Sequence, residues 1–174
     1  MSDGETSIEP LAEHHREALR AACAEDAEIW QIYPVNFSGK DFNGNFDACL
    51  GQPDQAAFAI LTGKQLVGMS SYLGINRENR VLEIGRTYIA PRVRGTGLNA
   101  RVKRLMLTRA FAEGFTRVDF RIDTRNGRSM AAVEKLGAVR TGTLRRNRIT
   151  WTGFVRDTAV YSVLADEWRD RPGG

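Results

Sequence analysis

The chain turns at Arg92-Val93-Arg94-Gly95-Thr96-Gly97-Leu98-Asn99, a glycine-rich stretch that joins a β-prone run to a long amphipathic segment. The run before it, residues 82–89, is largely apolar, and Pro91 ends it because proline has no backbone N–H to donate. The apolar residues after the glycines are Leu98, Val102, Leu105, Met106 and Ala110. Their three- and four-residue spacing is typical of a helix with one buried face, so the stretch predicts a strand, a tight turn and a helix.

This turn has the properties of an anion site. Glycines at 95 and 97 let the backbone turn tightly and approach a ligand closely. The first N–H groups of the following helix have no partner inside it, and the helix dipole places partial positive charge behind them. The basic residues that crowd this end of the helix are Arg92, Arg94, Arg101, Lys103 and Arg104. We therefore expect backbone N–H groups to hold a phosphate here; a plain glycine turn with solvated arginines is the alternative.

Two other glycine-rich loops fit the spacing less well. A dinucleotide-binding fingerprint has a third glycine where Ala100 stands, and an acidic residue about 20 positions further on at a strand end. Asp119 has the right separation but falls inside the next predicted strand. A P-loop is excluded because no Gly-Lys-Ser/Thr follows the glycines at the required spacing.

The sequence around the turn resembles the GNAT N-acetyltransferase superfamily. Arg92-x-x-Gly95-x-Gly97 matches its acetyl-CoA pyrophosphate loop. The stretches that resemble its branch of ribosomal-protein N-terminal acetyltransferases are Glu83-Ile84-Gly85, Leu98-Asn99, Asn126-x-x-Ser129 and Glu134-Lys135-Leu136-Gly137. The resemblance covers about residues 7–168 and is strongest from 81 to 164. It implies acetyl-CoA as co-substrate, no metal, and direct transfer of the acetyl group to a primary amine, either a protein N-terminus or a small molecule.

The resemblance also implies roles for single residues. The strand before the turn would pair its backbone with the pantetheine arm, and the N–H of Ile89 would be the oxyanion donor. Asn126 would contact the pantetheine and Ser129 would protonate the departing thiolate, although the same two residues also fit a helix cap. The residues expected to bind the cofactor are Tyr88, Ile89, Ala90, Arg92, Arg94, Gly95, Thr96, Gly97, Leu98, Asn99, Asn126 and Ser129.

Glu83 is the candidate general base, since many members of the superfamily keep their base near this position. Strand alternation places it on one face with Gly85 and Thr87, and places Ile84 and Tyr88 on the other. An exposed strand carboxylate is the alternative, with a water chain taking the proton from the amine. The residues that could line an acceptor pocket are Trp30, Tyr33, Phe37, Arg86 and Trp151.

The hydrophobic pattern predicts the fold class as α/β (α+β), a single GNAT-like domain. Strands are predicted at 57–61, 65–73, 82–89, 117–123, 138–144 and 158–164, helices at 11–24, from 98 onward and at 126–136, and a long loop with at most one helical turn at 33–53. A helix joins the strands 82–89 and 117–123, which makes a central βαβ unit. We expect a mixed, mostly antiparallel sheet of six to seven strands flanked by helices. The domain is expected to span 7–168, with flexible termini at 1–6 and 169–174.

Composition limits the other function classes. At 174 residues and 42% hydrophobic content, the chain can bury the core of one domain. No apolar run approaches the roughly 20 residues that span a bilayer, and the N-terminal residues lack a signal-peptide pattern, so we expect no membrane contact and a cytoplasmic location. The net charge is +4, but the basic residues are interspersed with acidic residues along the chain. This pattern argues against a nucleic-acid partner.

The cysteines and histidines do not predict a metal site. Cys23 and Cys49 have neither disulfide-framework nor zinc-site spacing, and we expect both to be reduced. The adjacent His14 and His15 cannot both face one metal on a helix, and we expect both to be solvated. A non-catalytic acyl-CoA-binding module is the main rival function, with a basic nucleic-acid adaptor as a distant third. A homodimer is compatible with the sequence, which does not decide the oligomeric state.

Overall fold

The structure is a computed structural model that describes residues 1–169. Its strands are β1 (Ser2–Asp3), β2 (Thr6–Pro10), β3 (Ala56–Thr62), β4 (Gln65–Asn76), β5 (Val81–Ile89), β6 (Arg117–Asp123), β7 (Val139–Ile149) and β8 (Val155–Leu164). They form one sheet in the order β1-β2-β3-β4-β5-β6-β8-β7. Every pair is antiparallel except β5 with β6. The expected fold class is confirmed, with eight strands among the described residues in place of six to seven.

The additional strands lie at the N-terminal edge of the sheet. β1 pairs with β2, and β2 pairs with β3 over the whole length of its five residues. The sheet therefore already includes residues 2, 3 and 6, which the sequence analysis assigned to a flexible terminus. Residue 169 ends the last helix, and 170–174 lie outside the described residues.

Within residues 1–169, five α-helices flank the sheet: α1 (Arg16–Ala24), α2 (Phe42–Leu50), α3 (Leu98–Ala112), α4 (Gly127–Lys135) and α5 (Ala165–Arg169). α3 joins β5 to β6, which confirms the central βαβ unit. The nine-residue α2 corrects the expectation for 33–53, which was a long loop with at most one helical turn. Phe42, Phe46 and Cys49 are buried at helical spacing. The sequence analysis missed this spacing because the surrounding Gly and Asn residues are typical of a loop. No helix within residues 1–169 is both long and apolar enough to cross a membrane.

The helices divide the core between the two faces of the sheet. We call the side that carries α3 and α4 the α3 face; its core includes Ile84, Met106 and Phe120. The opposite side carries α1 and α2 and is called the α1 face; its core includes Leu19 and Trp30.

A β-bulge at Arg86 reverses the alternation of side chains along β5. The paired residues around it are Ser71 with Gly85 and Met69 with Tyr88, so β5 holds one more residue than β4 in this interval. Arg86 takes a left-handed backbone conformation, with φ 51°. As a result Tyr88 packs on the α1 face, whereas Thr87 reaches Lys103 of α3. The sequence analysis had placed these two side chains on the opposite faces.

The strands β5 and β6 separate after a short paired segment. Only Val81–Glu83 pair with Arg117–Asp119, although β5 continues to Ile89 and β6 to Asp123. The edge of β5 that faces β6 therefore has no strand partner beyond Glu83. This gap in the middle of the sheet positions the candidate site.

Candidate active site

A cavity of about 170 Å³ lies at the gap between β5 and β6. Its wall includes residues of both sheet faces. Ile84 and Phe120 belong to the α3 face, whereas strand alternation directs their neighbours Glu83 and Arg121 to the α1 face. The cavity is thus lined from both sides of the sheet, and two reactants could meet there from opposite directions.

The glycine turn begins at the end of β5 and has the backbone geometry that an anion site needs. Gly95 and Gly97 have φ of 82° and 81°, and Gly97 is the N-cap of α3. Among residues 1–169, the backbone N–H groups of residues 95–100 have no hydrogen-bond partner. Asn99 also carries a buried Oδ1 with no partner in the same part of the chain. These unpaired groups at a helix N-terminus fit a phosphate ligand.

Two arginines of the turn are already occupied by the protein. Their partners are Glu25 and the Leu66 carbonyl for Arg92, and Asp26 (2.5 Å) and the Ile89 carbonyl (2.8 Å) for Arg94. These bonds tie the turn to the segment after α1 and to the neighbouring strands. Arg92 and Arg94 therefore position the turn. Within residues 1–169, the groups of the turn that have no partner are its backbone N–H groups.

The strand segment expected to pair with the pantetheine arm is partly occupied as well. The N–H of Ala90 donates to the Val67 carbonyl at 2.8 Å, and the Ile89 carbonyl accepts from Arg94. The Tyr88 hydroxyl donates to the Ala22 carbonyl at 2.6 Å, so its side chain serves the core. The role of the Ile89 N–H as oxyanion donor stays a prediction.

Glu83 lines the cavity, and its side chain is 22% exposed. Its nearest cation is Arg121, whose Nε lies 3.5 Å from Oε2. Burial raises the pKa of Glu83 above its ordinary value, against the opposing effect of Arg121 and Arg148. A carboxylate with a raised pKa in a cavity suits proton transfer.

Gly85 makes room for that carboxylate. A Cβ at this position would lie 2.8 Å from Oε1 of Glu83 and 2.7 Å from Cδ1 of Leu73. Both atoms are the ends of flexible side chains, so a methyl group here would displace the carboxylate rather than the backbone. The residue type at 85 therefore controls where the candidate base sits.

Asn126 and Ser129 both line the cavity at the start of α4. The Asn126 side chain accepts from the Ser129 N–H at 3.0 Å, which confirms the capping interpretation for Asn126. The Ser129 hydroxyl has no hydrogen-bond partner within residues 1–169. It is therefore available to a reactant in the cavity.

The sequence analysis missed Lys103 as a cavity residue. Lys103 is 5% exposed, and its Nζ lies 3.4 Å from Thr87 Oγ1 and 5.2 Å from the centre of the Phe120 ring. Burial lowers the pKa of Lys103 to about 8. Its place on the buried side of α3 could have been found, because Met106 and Leu107 follow it at three and four residues.

Only part of the expected acceptor pocket lines the cavity. Tyr33 and Arg86 do, and the Tyr33 hydroxyl donates to the Thr87 carbonyl at 2.6 Å. Trp30 and Phe37 are instead fully buried in the α1-face core. Trp151 is exposed and donates from Nε1 to the Trp30 carbonyl at 2.7 Å.

The expectation that both histidines are solvated is wrong for His15. It is buried, its Nε2 lies 2.7 Å from a Glu9 carboxylate oxygen, and its Nδ1 accepts from the Ala12 N–H. Ligand atoms of Glu9, His14 and His15 lie within 4.8 Å of one another. Because both ring nitrogens of His15 already have partners, this group is explained by structural bonding, and the absence of a metal stays a prediction.

The gap in the sheet and the glycine turn are the features to compare with known proteins. Residues 6–139 match the family model for the acetyltransferase (GNAT) domain, so the chain belongs to the GNAT acetyltransferases. A search of curated proteins finds no match.

Solved structures agree with this family. A T. thermophilus protein assigned to the acetyltransferases is 35% identical, with 97% of this chain and 90% of that chain covered and a TM-score of 0.87. A GCN5-related N-acetyltransferase from Brucella melitensis is 27% identical, with coverage of 97% and 79% and a TM-score of 0.89. Spermidine N-acetyltransferase from Vibrio cholerae, solved with CoA and spermine, is 15% identical, with coverage of 97% and 100% and a TM-score of 0.80; it shares the fold.

Proposed function

We propose that the protein is an acetyl-CoA-dependent N-acetyltransferase that acts on a primary amine. The observation that carries this proposal is the run of N–H groups at residues 95–100 that have no partner in the described part of the chain, after the strand that borders the cavity. An N-terminal amine of a protein or a small-molecule amine would be the acceptor. The resemblance to ribosomal-protein N-terminal acetyltransferases supports the first of these.

The residues of the turn fit the diphosphate of CoA. Gly95 and Gly97 adopt the positive φ of a tight turn, and neither glycine presents a Cβ to the ligand. Acetyl-CoA supplies an activated acetyl thioester when it is bound. The protein contributes binding at the turn, orientation in the gap and proton transfer at the cavity.

Glu83 and Ser129 divide the proton transfers. The Glu83 carboxylate accepts the proton that the acceptor amine must lose, and its raised pKa brings it closer to that of a useful base. The free hydroxyl of Ser129 donates a proton to the departing thiolate. Both groups line one cavity, as direct transfer between two bound reactants requires.

The test measures release of free CoA thiol with a panel of amines, together with mass spectrometry of the products. We expect CoA to raise the melting temperature and thiol release to depend on the amine. Stabilisation by CoA without amine-dependent release would identify a non-catalytic acyl-CoA-binding module. No stabilisation at millimolar CoA would overturn the proposal as a whole.

A variant of Ser129 tests its role without disturbing the helix cap. Ser129→Ala keeps the N–H that Asn126 accepts, so the free energy of unfolding should change little. The value of kcat should fall by about 10²-fold with little change in the KM for acetyl-CoA, as expected for a proton donor that acts in the transition state. Asn126→Ala is the matched control, because it should cost about 1 kcal/mol of stability by removing the cap. An unchanged kcat in Ser129→Ala would leave Ser129 a structural residue.

A further inference from the structure

Two arginines stand directly opposite each other at the edge of the cavity. Arg148 of β7 and Arg156 of β8 are paired across the two antiparallel strands, and both line the cavity. Like charges in this arrangement destabilise a sheet. Arg156 is also only 5% exposed, so one of the two guanidinium groups is largely removed from water.

Neither arginine has an anionic partner in the described part of the chain. Within residues 1–169, no carboxylate lies within 4.0 Å of either guanidinium group. Arg156 donates from Nε to Thr158 Oγ1 at 3.0 Å, and its terminal nitrogens have no hydrogen-bond partner in the same residues. A buried charge without a partner is costly, so an arginine pair of this kind is typical of a site that receives an anion.

The carboxylates around the cavity are committed elsewhere. Arg125 binds both oxygens of Asp123, at 3.0 and 2.7 Å. Arg121 is the nearest cation to Glu83. The cavity wall thus has five cationic side chains against these two carboxylates; the cations are Arg86, Lys103, Arg121, Arg148 and Arg156. An anionic ligand would restore the balance.

We propose that Arg148 and Arg156 bind a carboxylate carried by the acceptor amine. This inference rests on the proposed function, in which the amine lies beside Glu83. The guanidinium fork matches a carboxylate in two parallel hydrogen bonds. Arg156 and Thr158 lie on the same strand face, which strand pairing places beside Asp123 on the α1 face. The carboxylate therefore enters from the α1 face. The glycine turn leads into α3, which lies on the other face of the sheet.

The acceptor class follows from the charge and the size of the cavity. A volume of about 170 Å³ admits the amine and the carboxylate of a small group. Both a free α-amino acid and the acidic first residue of a peptide have this chemistry. A polyamine has the opposite charge and would be repelled by the same arginines.

The first arm of the experiment compares acceptors on the wild-type protein. Leucine is compared with leucinamide for the α-carboxylate, and the dipeptide amides Asp-Ala-NH2 and Asn-Ala-NH2 for a side-chain carboxylate. We expect the carboxylate member of at least one pair to have a kcat/KM about tenfold or more above that of its amide, and spermidine to be the poorest acceptor. The pair that shows the difference identifies the source of the carboxylate.

The second arm uses variants. Arg148→Gln, which alters an exposed side chain, should remove most of the preference by raising the KM for the carboxylate acceptor, with the KM for acetyl-CoA unchanged. Arg145→Gln is the matched control, because Arg145 is an exposed residue of the same strand outside the cavity wall. Arg148→Glu should shift the preference toward spermidine, a result that loss of folding could not produce.

The outcomes separate this inference from the proposed function. Equal use of carboxylate and amide acceptors, with no effect of Arg148→Gln, would overturn the proposed anion site. The proposed N-acetyltransferase activity would not be affected by that result. Failure to acetylate any amine would count against the proposed function. In that case, calorimetry with N-acetylleucine and N-acetylleucinamide tests the anion site. The proposal predicts that the wild-type protein binds N-acetylleucine more tightly, and that Arg148→Gln binds the two compounds equally.

Discussion

Glu83 is a carboxylate whose surroundings favour its protonated form. Burial raises its pKa, so the fraction able to accept a proton increases with pH above the ordinary range for glutamate. We expect kcat/KM to rise with pH through this range, and Glu83→Gln to remove this limb and lower kcat/KM by about 10²-fold or more. Pre-steady-state or steady-state rates across pH check it, with the exposed Glu78→Gln as control. An unchanged profile would assign the base to water or to another group.

Gly85 allows a sharper test of the same carboxylate. The methyl group of Gly85→Ala would meet Glu83 and Leu73 at less than 3 Å, and these flexible ends must move. We expect kcat/KM to fall by about tenfold, because small displacements of a catalytic group are costly. The melting temperature should change little. Gly44→Ala in α2, where the added methyl group meets open space, is the control; wild-type rates in Gly85→Ala would show that the position of Glu83 does not matter.

The glycine turn and α3 act together as one element. Gly95→Ala places a Cβ in open space at φ 82°, so it should cost about 1–2 kcal/mol of backbone strain and also obstruct the ligand. We expect the affinity for CoA, measured by calorimetry, to fall by more than tenfold. Gly63→Ala imposes the same kind of strain, at φ 58° in the β3–β4 turn, and should leave CoA binding unchanged. Normal CoA binding by a folded Gly95→Ala protein would show that the anion does not bind at the start of α3.

The two arginines of the turn attach the turn and α3 to the rest of the protein. Arg94 bonds Asp26 and the Ile89 carbonyl, and burial of this pair is only partial. Its free energy contribution is therefore expected to be about 1 kcal/mol or less. This arrangement explains how Arg92 and Arg94 can lie beside a helix N-terminus: Glu25 and Asp26, from the segment after α1, neutralise them.

Lys103 links the chemistry of the cavity to the stability of the whole molecule. Its pKa is lowered from 10.5 to about 8 by burial, so between these values the unfolded chain binds more protons than the folded protein. Stability from this residue must then rise with pH over that interval. We expect Lys103→Met to raise the free energy of unfolding by about 1–3 kcal/mol at pH 7, with the gain shrinking toward pH 10. Urea unfolding at several pH values checks this; a gain independent of pH would be an effect of packing alone.

Local features of this protein could be predicted from neighbouring residues. The turn at Gly95 and Gly97, the helix after it and the cap at Asn126 each depend on a few adjacent positions. The same holds for the βαβ unit, since parallel neighbouring strands need a crossover connection, and the helix predicted directly after the turn supplies one. The family resemblance rests on these local stretches, and the comparisons confirm the family but not its ribosomal-protein branch.

Other features depend on residues that are distant in the sequence. The bulge at Arg86 moves Tyr88 to the other face of β5, because one inserted residue reverses a pattern whose period is two. The register of β7 on β8 sets Arg148 opposite Arg156, and the packing of α3 on the gap buries Lys103. Strand register and burial are properties of the assembled sheet rather than of any local pattern. For this reason the residues proposed to bind the acceptor could be identified only from the fold, whereas the turn proposed to bind the cofactor could be predicted from the sequence.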